Sequence, residues 1–441
     1  MNMNKYSITQ VSNSLGVSQA IVAGWEKSGK LVPIRNGKEI YYTDELLQHL
    51  DIFKQFKNST WVQEQQIKAR RDYTSIELFA GAGGLALGLE QSGFKVALLN
   101  EMDKHAGNTL KLNRPDWNIT IGDVTGLDFS HFKDKIDFLS GGFPCQAFSY
   151  AGNKQGFGDT RGTLFFEFAR AIEEVRPRVF LAENVRGLLN HENGRTIETI
   201  KHKIKEIGYT LIEPEVLKAI YYRVPQKRER LFLIGIRNDL ADNFNFKWPS
   251  KYKRVMTLND ALKAGELFNC DVPESKGQTY PQRKKEILEL VPPGGYWRDL
   301  PDNIQREYMK KSYFLGGGKT GMARRLSWHE PSLTLTCSPA QKQTERCHPD
   351  HTRALTVREY ARVQTFPDTW LFSGSLTSQY KQIGNAVPVN LAKAVGTSLI
   401  ALLNSLENHK PTVTYPIKDL SQTAQQMDFL WEKRAQYLTK I

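Results

Sequence analysis

Cysteine is scarce in this chain, with four in 441 residues. Cys145, Cys270, Cys337 and Cys347 stand far apart, and no two form a C-x-x-C pair. That spacing excludes a disulfide framework and gives no zinc pattern, so no metal is expected. No apolar run approaches the length of a membrane span, and no apolar signal region follows a basic start. The expectation is a cytoplasmic protein without a membrane partner. Nor does F-A-G-A-G-G, at the first strand-to-helix turn, have the glycine spacing of G-x-G-x-x-G, which argues against a dinucleotide cofactor and leaves an oxidoreductase a poor reading. Acidic residues are the minority charge, 47 against 60 lysines and arginines, for a net charge of +13. Such an excess suits a polyanion whose phosphates give up counterions, though by itself it favours nucleic acid only slightly.

What is present centres on Asp137 to Arg161, DFLSGGFPCQAFSYAGNKQGFGDTR. An apolar strand, Ile136 to Leu139, breaks at Gly141-Gly142 and delivers Cys145 to the carboxyl edge of a sheet. A thiolate there is a strong nucleophile, although most free cysteines are small buried hydrophobes. The polar, Gly-rich stretch from Ser149 to Gly162 reads as a lid, and an apolar helix starts at Thr163.

Upstream, residues 1–50 read as a small unit of helix, tight turn, helix and hairpin. One helix starts at Ile8 and a second carries Ala20 to Trp25. Two strand-like runs, Leu31 to Arg35 and Lys38 to Tyr42, meet at Asn36-Gly37, a strong hairpin signal. The pattern is a winged helix-turn-helix, and S-I-T-Q-V-S-N-S-L-G-V-S with W-E-K-S-G-K-L resembles the mercury-resistance-regulator family. In that family the second helix enters the major groove; a helical cap without DNA contact is the other reading. Residues 51–72 are charged and rich in helix formers, and read as a helical linker.

From residue 73 strands and helices alternate, as in a doubly wound α/β domain. Strand Ile76 to Phe79 runs into Ala80-Gly81-Ala82-Gly83-Gly84-Leu85, where glycines let a cofactor approach the backbone. A second strand, Val96 to Leu99, ends at Glu101, placed for a ribose diol. A third edge ends at Asp123-Val124, placed for an exocyclic amine. This pattern points to a nucleoside without a pyrophosphate, and S-adenosylmethionine fits. Strand Val179 to Ala182 puts Glu183 on the cleft edge with Cys145, the pairing that a proton-assisted addition needs. Before strand Leu231 to Ile236, Arg228 and Arg230 alternate and so share a face, suited to a base oxygen and a phosphate. Beyond about residue 238 the pattern loosens. Tyr296-Trp297 and Tyr313-Phe314 lie among Arg298, Lys310, Lys311 and Lys319, an interleaving that suits nucleic-acid contact. An amphipathic helix from Leu355 ends at Pro367, and a final apolar helix opens near Gln379 and runs to Leu403.

These segments together resemble the cytosine-5 DNA methyltransferases of bacterial restriction–modification systems. The pieces are ELFAGAGGLALGLEQSGF, NEMD, GDV, GGFPCQAFSYAG, ENVRGLL, VPQKRERLFLIGIR, RALTVREYARVQTFPD and QYKQIGNAVPVNLA, in the family's order over about residues 73 to 403. The resemblance implies a Rossmann-like S-adenosylmethionine-dependent fold with an inserted target recognition domain. It implies domains at 73–250 and 355–405 (catalytic), 251–354 (target recognition) and 406–441 (an extension without assigned function). Cys145, Glu183, Arg228 and Arg230 are then catalytic. Phe79, Gly81, Gly83, Gly84, Leu85, Glu101, Asp123, Val124, Pro144, Asn385, Ala386 and Val387 form the cofactor pocket. The implied substrate is duplex DNA with the target base flipped out, the implied partner a cognate restriction endonuclease in a genetic sense only, and the implied state a monomer. A branch of the family acts on tRNA, and a regulator with a degenerate catalytic fold is a further alternative. The inserted domain and the DNA-type N-terminal unit argue against the first and the intact motifs against the second, which leaves additional promoter binding through the N-terminal domain as an open reading.

Overall fold

The computed structural model describes residues 5–144, apart from 16, 18 and 38, and residues 163–407, apart from 318. Cys145, the segment expected to be a lid, and the extension beyond residue 407 lie outside the described residues.

The N-terminal unit contains β1 (Lys5–Tyr6), α1 (Ile8–Leu15), α2 (Gln19–Lys27), β2 (Ile34–Asn36) and β3 (Glu39–Thr43). β3 pairs antiparallel with both β2 and β1, and Asn36 opposes Glu39 across a two-residue turn. Gly37 has φ +58°, the left-handed backbone such a turn demands, so glycine follows Asn36 there. Val11, Leu15, Val22, Leu31 and Tyr42 are buried between the helices and the wing.

Short helices α3 (Asp44–Leu47), α4 (Asp51–Lys57) and α5 (Trp61–Glu64) follow. The helix expected through residue 72 stops at Glu64, because tertiary contacts outweigh propensity beyond it. Arg70 donates from its backbone to Asn404, and Arg71 grips Asp137. Nor is this stretch a free tether. Phe56 packs edge-on to Tyr221 at 5.7 Å and Trp61 to Tyr252 at 5.5 Å. Its apolar side chains join the N-terminal and main cores into one cluster.

The main sheet is built from β4 (Tyr73–Leu78), β5 (Phe94–Glu101), β6 (Ile119–Ile121), β7 (Phe138–Gly141), β8 (Val179–Asn184), β9 (Tyr209–Leu211), β10 (Glu215–Lys218) and β12 (Glu229–Arg237). The order across it is 10-12-8-7-4-5-6, with β9 also on β12. β6, β5, β4, β7 and β8 are parallel, whereas β12 runs antiparallel to its neighbours. Helices α6 (Gly84–Ser92), α7 (Lys104–Asn113), α8 (Thr163–Val175) and α9 (Arg195–Glu206) are the crossovers. Successive side chains alternate between the two faces, as strand geometry requires. Tyr73, Phe138, Val179 and Ile234 join one core, and Ile76, Leu139, Phe180 and Leu233 the other, with α8 and α9. The doubly wound fold expected from the alternating pattern is the one found, and it has its switch point between β4 and β7.

The two-residue β11 (Gln226–Lys227) precedes β12 and pairs with β13 (Ser332–Leu333), which lies far along the chain. Between them run α10 (Leu258–Leu262), α11 (Gln282–Glu289) and α12 (Asp302–Met309). Ile287, Leu288, Trp297, Tyr308, Met309 and Met322 form a separate small core there.

The chain then returns through α13 (Val357–Val363), α14 (Leu376–Asn385) and α15 (Val389–Leu406). The single final helix expected from the sequence is two, parted at Ala386–Pro388, because Pro388 has no N–H to continue the ladder. The stretch Leu376–Leu406 also corrects the expectation that no segment matches a membrane span in length and apolarity. Its apolar window is 78 % buried inside the molecule, where α15 packs against α6 as a core helix.

Candidate active site

A cleft of about 800 Å³ opens at the carboxyl ends of β4 and β7. This is where strands diverge to opposite sides of a doubly wound sheet and leave a crevice. Phe79, Gly81, Gly84, Leu85, Glu101, Asp123, Val124, Pro144, Glu183, Arg228, Arg230, Asn385, Ala386 and Val387 all line it. Thus the chain's first glycine motif and its last motif meet across one cavity.

At one end, the β4–α6 turn is held by Glu101. Its Oε2 accepts from Gly81 N at 2.7 Å and its Oε1 from Asp103 N at 2.7 Å. Burial pushes this carboxyl up, and the Asp103 charge adds to that, while the backbone N–H groups oppose it. A carboxylate has about four acceptor positions, so room remains for a diol. A Cβ on Gly81 would meet nothing within 4 Å, so the backbone there faces open space that a ligand can fill. Gly83 is the exception among the expected residues that are described, since it does not line the cleft. Its φ of +85° caps α6, and a Cβ would come within 2.6 Å of Leu110 Cδ2 and 3.0 Å of Trp370. A Cβ on Gly84 would lie 2.3 Å from the Val387 carbonyl oxygen, so only glycine admits the returning chain to the pocket wall.

At the other end, Arg230 Nε donates to Glu183 Oε1 at 2.6 Å, with both side chains about nine-tenths buried. Glu183 also fits against Gly142, where a Cβ would fall 2.8 Å from Oε2. Gly142, Phe143 and Pro144 lead from β7 along the cleft wall to Cys145. Arg228 and Arg230, expected to share a substrate-facing role, divide. Arg228 is buried and spends its guanidinium on the carbonyl oxygens of Leu335, Gly384 and Asn385. Burial, reinforced by the Arg230 charge, depresses its pKa.

Further residues of the site were not singled out from the sequence. Asn184 Nδ2 donates to the Phe143 carbonyl at 2.9 Å and so fixes the backbone leading to Cys145. Gln226 donates to Gln364 at 2.9 Å, and Gln364 to the carbonyls of Ile383 and Ala386. These three segments are remote in sequence, so no local spacing could reveal the lock. Glu77 lines the cleft with one carboxylate oxygen unpartnered, and desolvation raises its pKa well above the ordinary value. Its place at the end of β4 was the available hint.

Fold and cleft together define a doubly wound α/β protein with an open cleft at its switch point, where such folds bind their ligands. A family model for C-5 cytosine-specific DNA methylase matches residues 73–401, and one for the MerR HTH family of regulatory proteins matches residues 6–68. The chain belongs to the C-5 cytosine-specific DNA methylases, with a MerR-type helix-turn-helix domain at its N-terminus. It is similar to the type II methyltransferase M.Eco47II of Escherichia coli, 62 % identical over 410 residues that cover 92 % of this chain and 98 % of that protein. It is also similar to M.PspPI of Psychrobacter sp. (strain TA137), 58 % identical over 91 % of this chain and 97 % of the relative. Among solved structures, a prophage-encoded E. coli protein described as a DNA modification methyltransferase covers 76 % of this chain and 100 % of its own, with 27 % identity and a TM-score of 0.55.

Proposed function

We propose that this chain is a type II modification enzyme that methylates carbon 5 of a flipped-out cytosine in a short duplex DNA sequence through a covalent adduct with Cys145. Its place would be the cytoplasm, beside a restriction endonuclease of matching specificity, acting as a monomer on DNA. The observation that carries the reading is the Glu183–Arg230 pair at the end of the wall that leads to Cys145.

The family uses S-adenosylmethionine, and the open face at Gly81, the remaining acceptor capacity of Glu101 and the polar end of Asp123 fit that molecule. When bound, it supplies an electrophilic methyl group. Cytosine carbon 5 is too weak a nucleophile to take that group unaided. The Cys145 thiolate adds to carbon 6, forming a C–S bond and pushing an electron pair toward carbon 5. Glu183 donates a proton or hydrogen bond to ring nitrogen 3, and Arg230 holds both Glu183 and the base oxygen 2. After methylation, loss of the carbon 5 proton expels Cys145 and restores the aromatic ring. A stacked base offers no such approach, so the cytosine must leave the duplex.

Transfer of labelled methyl to duplex DNA, followed by bisulfite sequencing, tests the proposal. Incorporation at cytosines of one short motif by the native enzyme, and none by Cys145→Ala, is the expected result. Methylation of tRNA but not duplex DNA, or an active Cys145→Ala enzyme, would overturn it.

A further inference from the structure

Between Glu307 and Glu330 the chain carries Lys310, Lys311, Lys319, Arg324 and Arg325 and no acidic residue. Within this stretch, Phe314 is 79 % exposed and Leu315 is 65 % exposed, and both are followed by Gly316-Gly317. Two large apolar side chains at one exposed tip are costly in water unless a partner covers them.

The tip is firmly built. Phe314 packs edge-on against Tyr313 at 5.2 Å, and Tyr313 against the buried Trp297 at 6.0 Å. Arg306 lies over the Tyr313 ring at 5.3 Å. From beyond the glycines Lys319 folds back, and its ammonium donates to the carbonyls of Ser312 and Leu315. Aromatic stacking beneath and a lysine clamp behind hold Phe314 outward on a rigid base.

Its root connects to the cleft. Tyr308, at the start of the stretch, donates from its hydroxyl to Glu345, whose own N–H donates to Gly321 O at 3.0 Å. The next residue, Arg346, donates to the carbonyl of Thr334, which lines the cleft. One hydrogen-bonded chain thus runs from the cleft wall to the base of the tip.

We propose that the Phe314–Leu315 tip contacts the bases of the DNA substrate directly, wedging against the base stack while Lys310 and Lys311 hold the flanking phosphates. This rests on the reading as a DNA methyltransferase and names the element that reads the duplex. Duplex DNA is the occupant that the charge selects. Lys310 and Lys311 form no ion pair among the described residues and can attract phosphates, whereas Arg324 reaches Glu330, and the close approach of an apolar wedge to stacked bases recovers the exposed area. The glycines after Leu315 keep side chains out of the way of a groove.

The test uses the full-length enzyme on a duplex that contains its mapped methylation site. Phe314→Ala should raise KM for DNA at least tenfold, leave KM for S-adenosylmethionine unchanged and keep the salt dependence of DNA binding. Phe314→Leu should recover part of the affinity. The Lys310→Ala/Lys311→Ala double variant should weaken binding and flatten the log–log salt slope by about 2. With 2-aminopurine placed stepwise along the site, native enzyme should raise fluorescence at one step and Phe314→Ala should not. An unchanged DNA KM for Phe314→Ala, with the native enzyme fully active, would overturn the tip's role and leave the methyltransferase reading intact. A native dimer that Phe314→Ala converts to monomer without altering DNA KM would overturn it in favour of a contact between copies.

Discussion

Arg228 and Arg230 stand two residues apart, yet their neighbours give them different work. Arg230 faces the cleft and grips Glu183, whereas Arg228 ties together carbonyls from three remote residues. Replacing Arg230 with Lys should therefore lower kcat by about 100-fold with little effect on thermal stability, because Lys supplies charge without the planar fork. Replacing Arg228 with Met should cost about 3 kcal/mol of stability, since buried carbonyls lose their donor. Paired thermal melts and single-turnover rates separate the two. A stable, slow Arg228→Met enzyme would show that Arg228 touches substrate after all. At Glu183, Gln keeps the shape and the pairing with Arg230 but removes the proton. Turnover should fall by roughly 100-fold or more while calorimetry shows cofactor affinity within about twofold. Normal turnover would remove Glu183 from the proton step.

Among elements, the contact of α6 with the break between α14 and α15 decides whether the pocket exists. Gly84→Val places a branched side chain on the Val387 carbonyl, only 2.3 Å from its Cβ position. The two segments must separate, so this variant should lose cofactor binding in calorimetry and about 3 kcal/mol of stability. Retained cofactor affinity would show that the wall can shift. The same contact explains what the sequence made legible. Glycine spacing, acidic strand ends and the Cys145 segment are local patterns, and their chemistry is readable from neighbours a few residues away. Most of the parallel sheet and the lining of the cleft followed from them. The Gln226–Gln364 lock, the carbonyl-bound Arg228 and the non-helical course of residues 65–72 depend on partners more than a hundred residues off or on a competing ion pair. Propensity and spacing carry no record of such partners. The packing of Gly83 is illegible for a related reason: its motif marks a tight turn, and only Leu110 and Trp370 show which way that turn faces.

Across the whole molecule, two seams hold the parts together. One is polar. Arg71 reaches both Asp137 and Glu407, and Arg178 reaches the same two carboxylates. Burial alone would raise the Asp137 carboxyl, but Arg71, the Thr74 N–H and Arg178 outweigh it and hold it below the ordinary carboxylate range. Glu407 is likewise lowered by the two arginines against a desolvation effect. Groups depressed in the folded state stabilise it above their unfolded pKa and lose that contribution as pH falls through the folded value. Denaturant unfolding should accordingly show Asp137→Asn about 2 kcal/mol less stable at pH 7. That is below the range for fully buried pairs because Arg71 is 43 % exposed and partly screened. The deficit should shrink once pH is taken down through the native carboxylate's titration. A gap that persists unchanged there would mean that packing, not charge, is at stake. The second seam is apolar. Phe56→Ala and Trp61→Ala strip the aromatic contacts to Tyr221 and Tyr252, and each should cost about 3 kcal/mol. Unaltered melting would make the N-terminal domain a tethered module rather than part of the core.

The pocket wall of Asn385 to Val387 has a consequence in time. The glycine turn near residue 81 leaves the ribosome early, while the segment that closes over it is made some three hundred residues later. Contacts of such long separation form late and slowly. A chain that has not yet made Asn385 to Val387 therefore has no complete cofactor pocket, and competence arrives only when α15 has emerged and docked. Docking of α15 is the gate on the first methyl transfer.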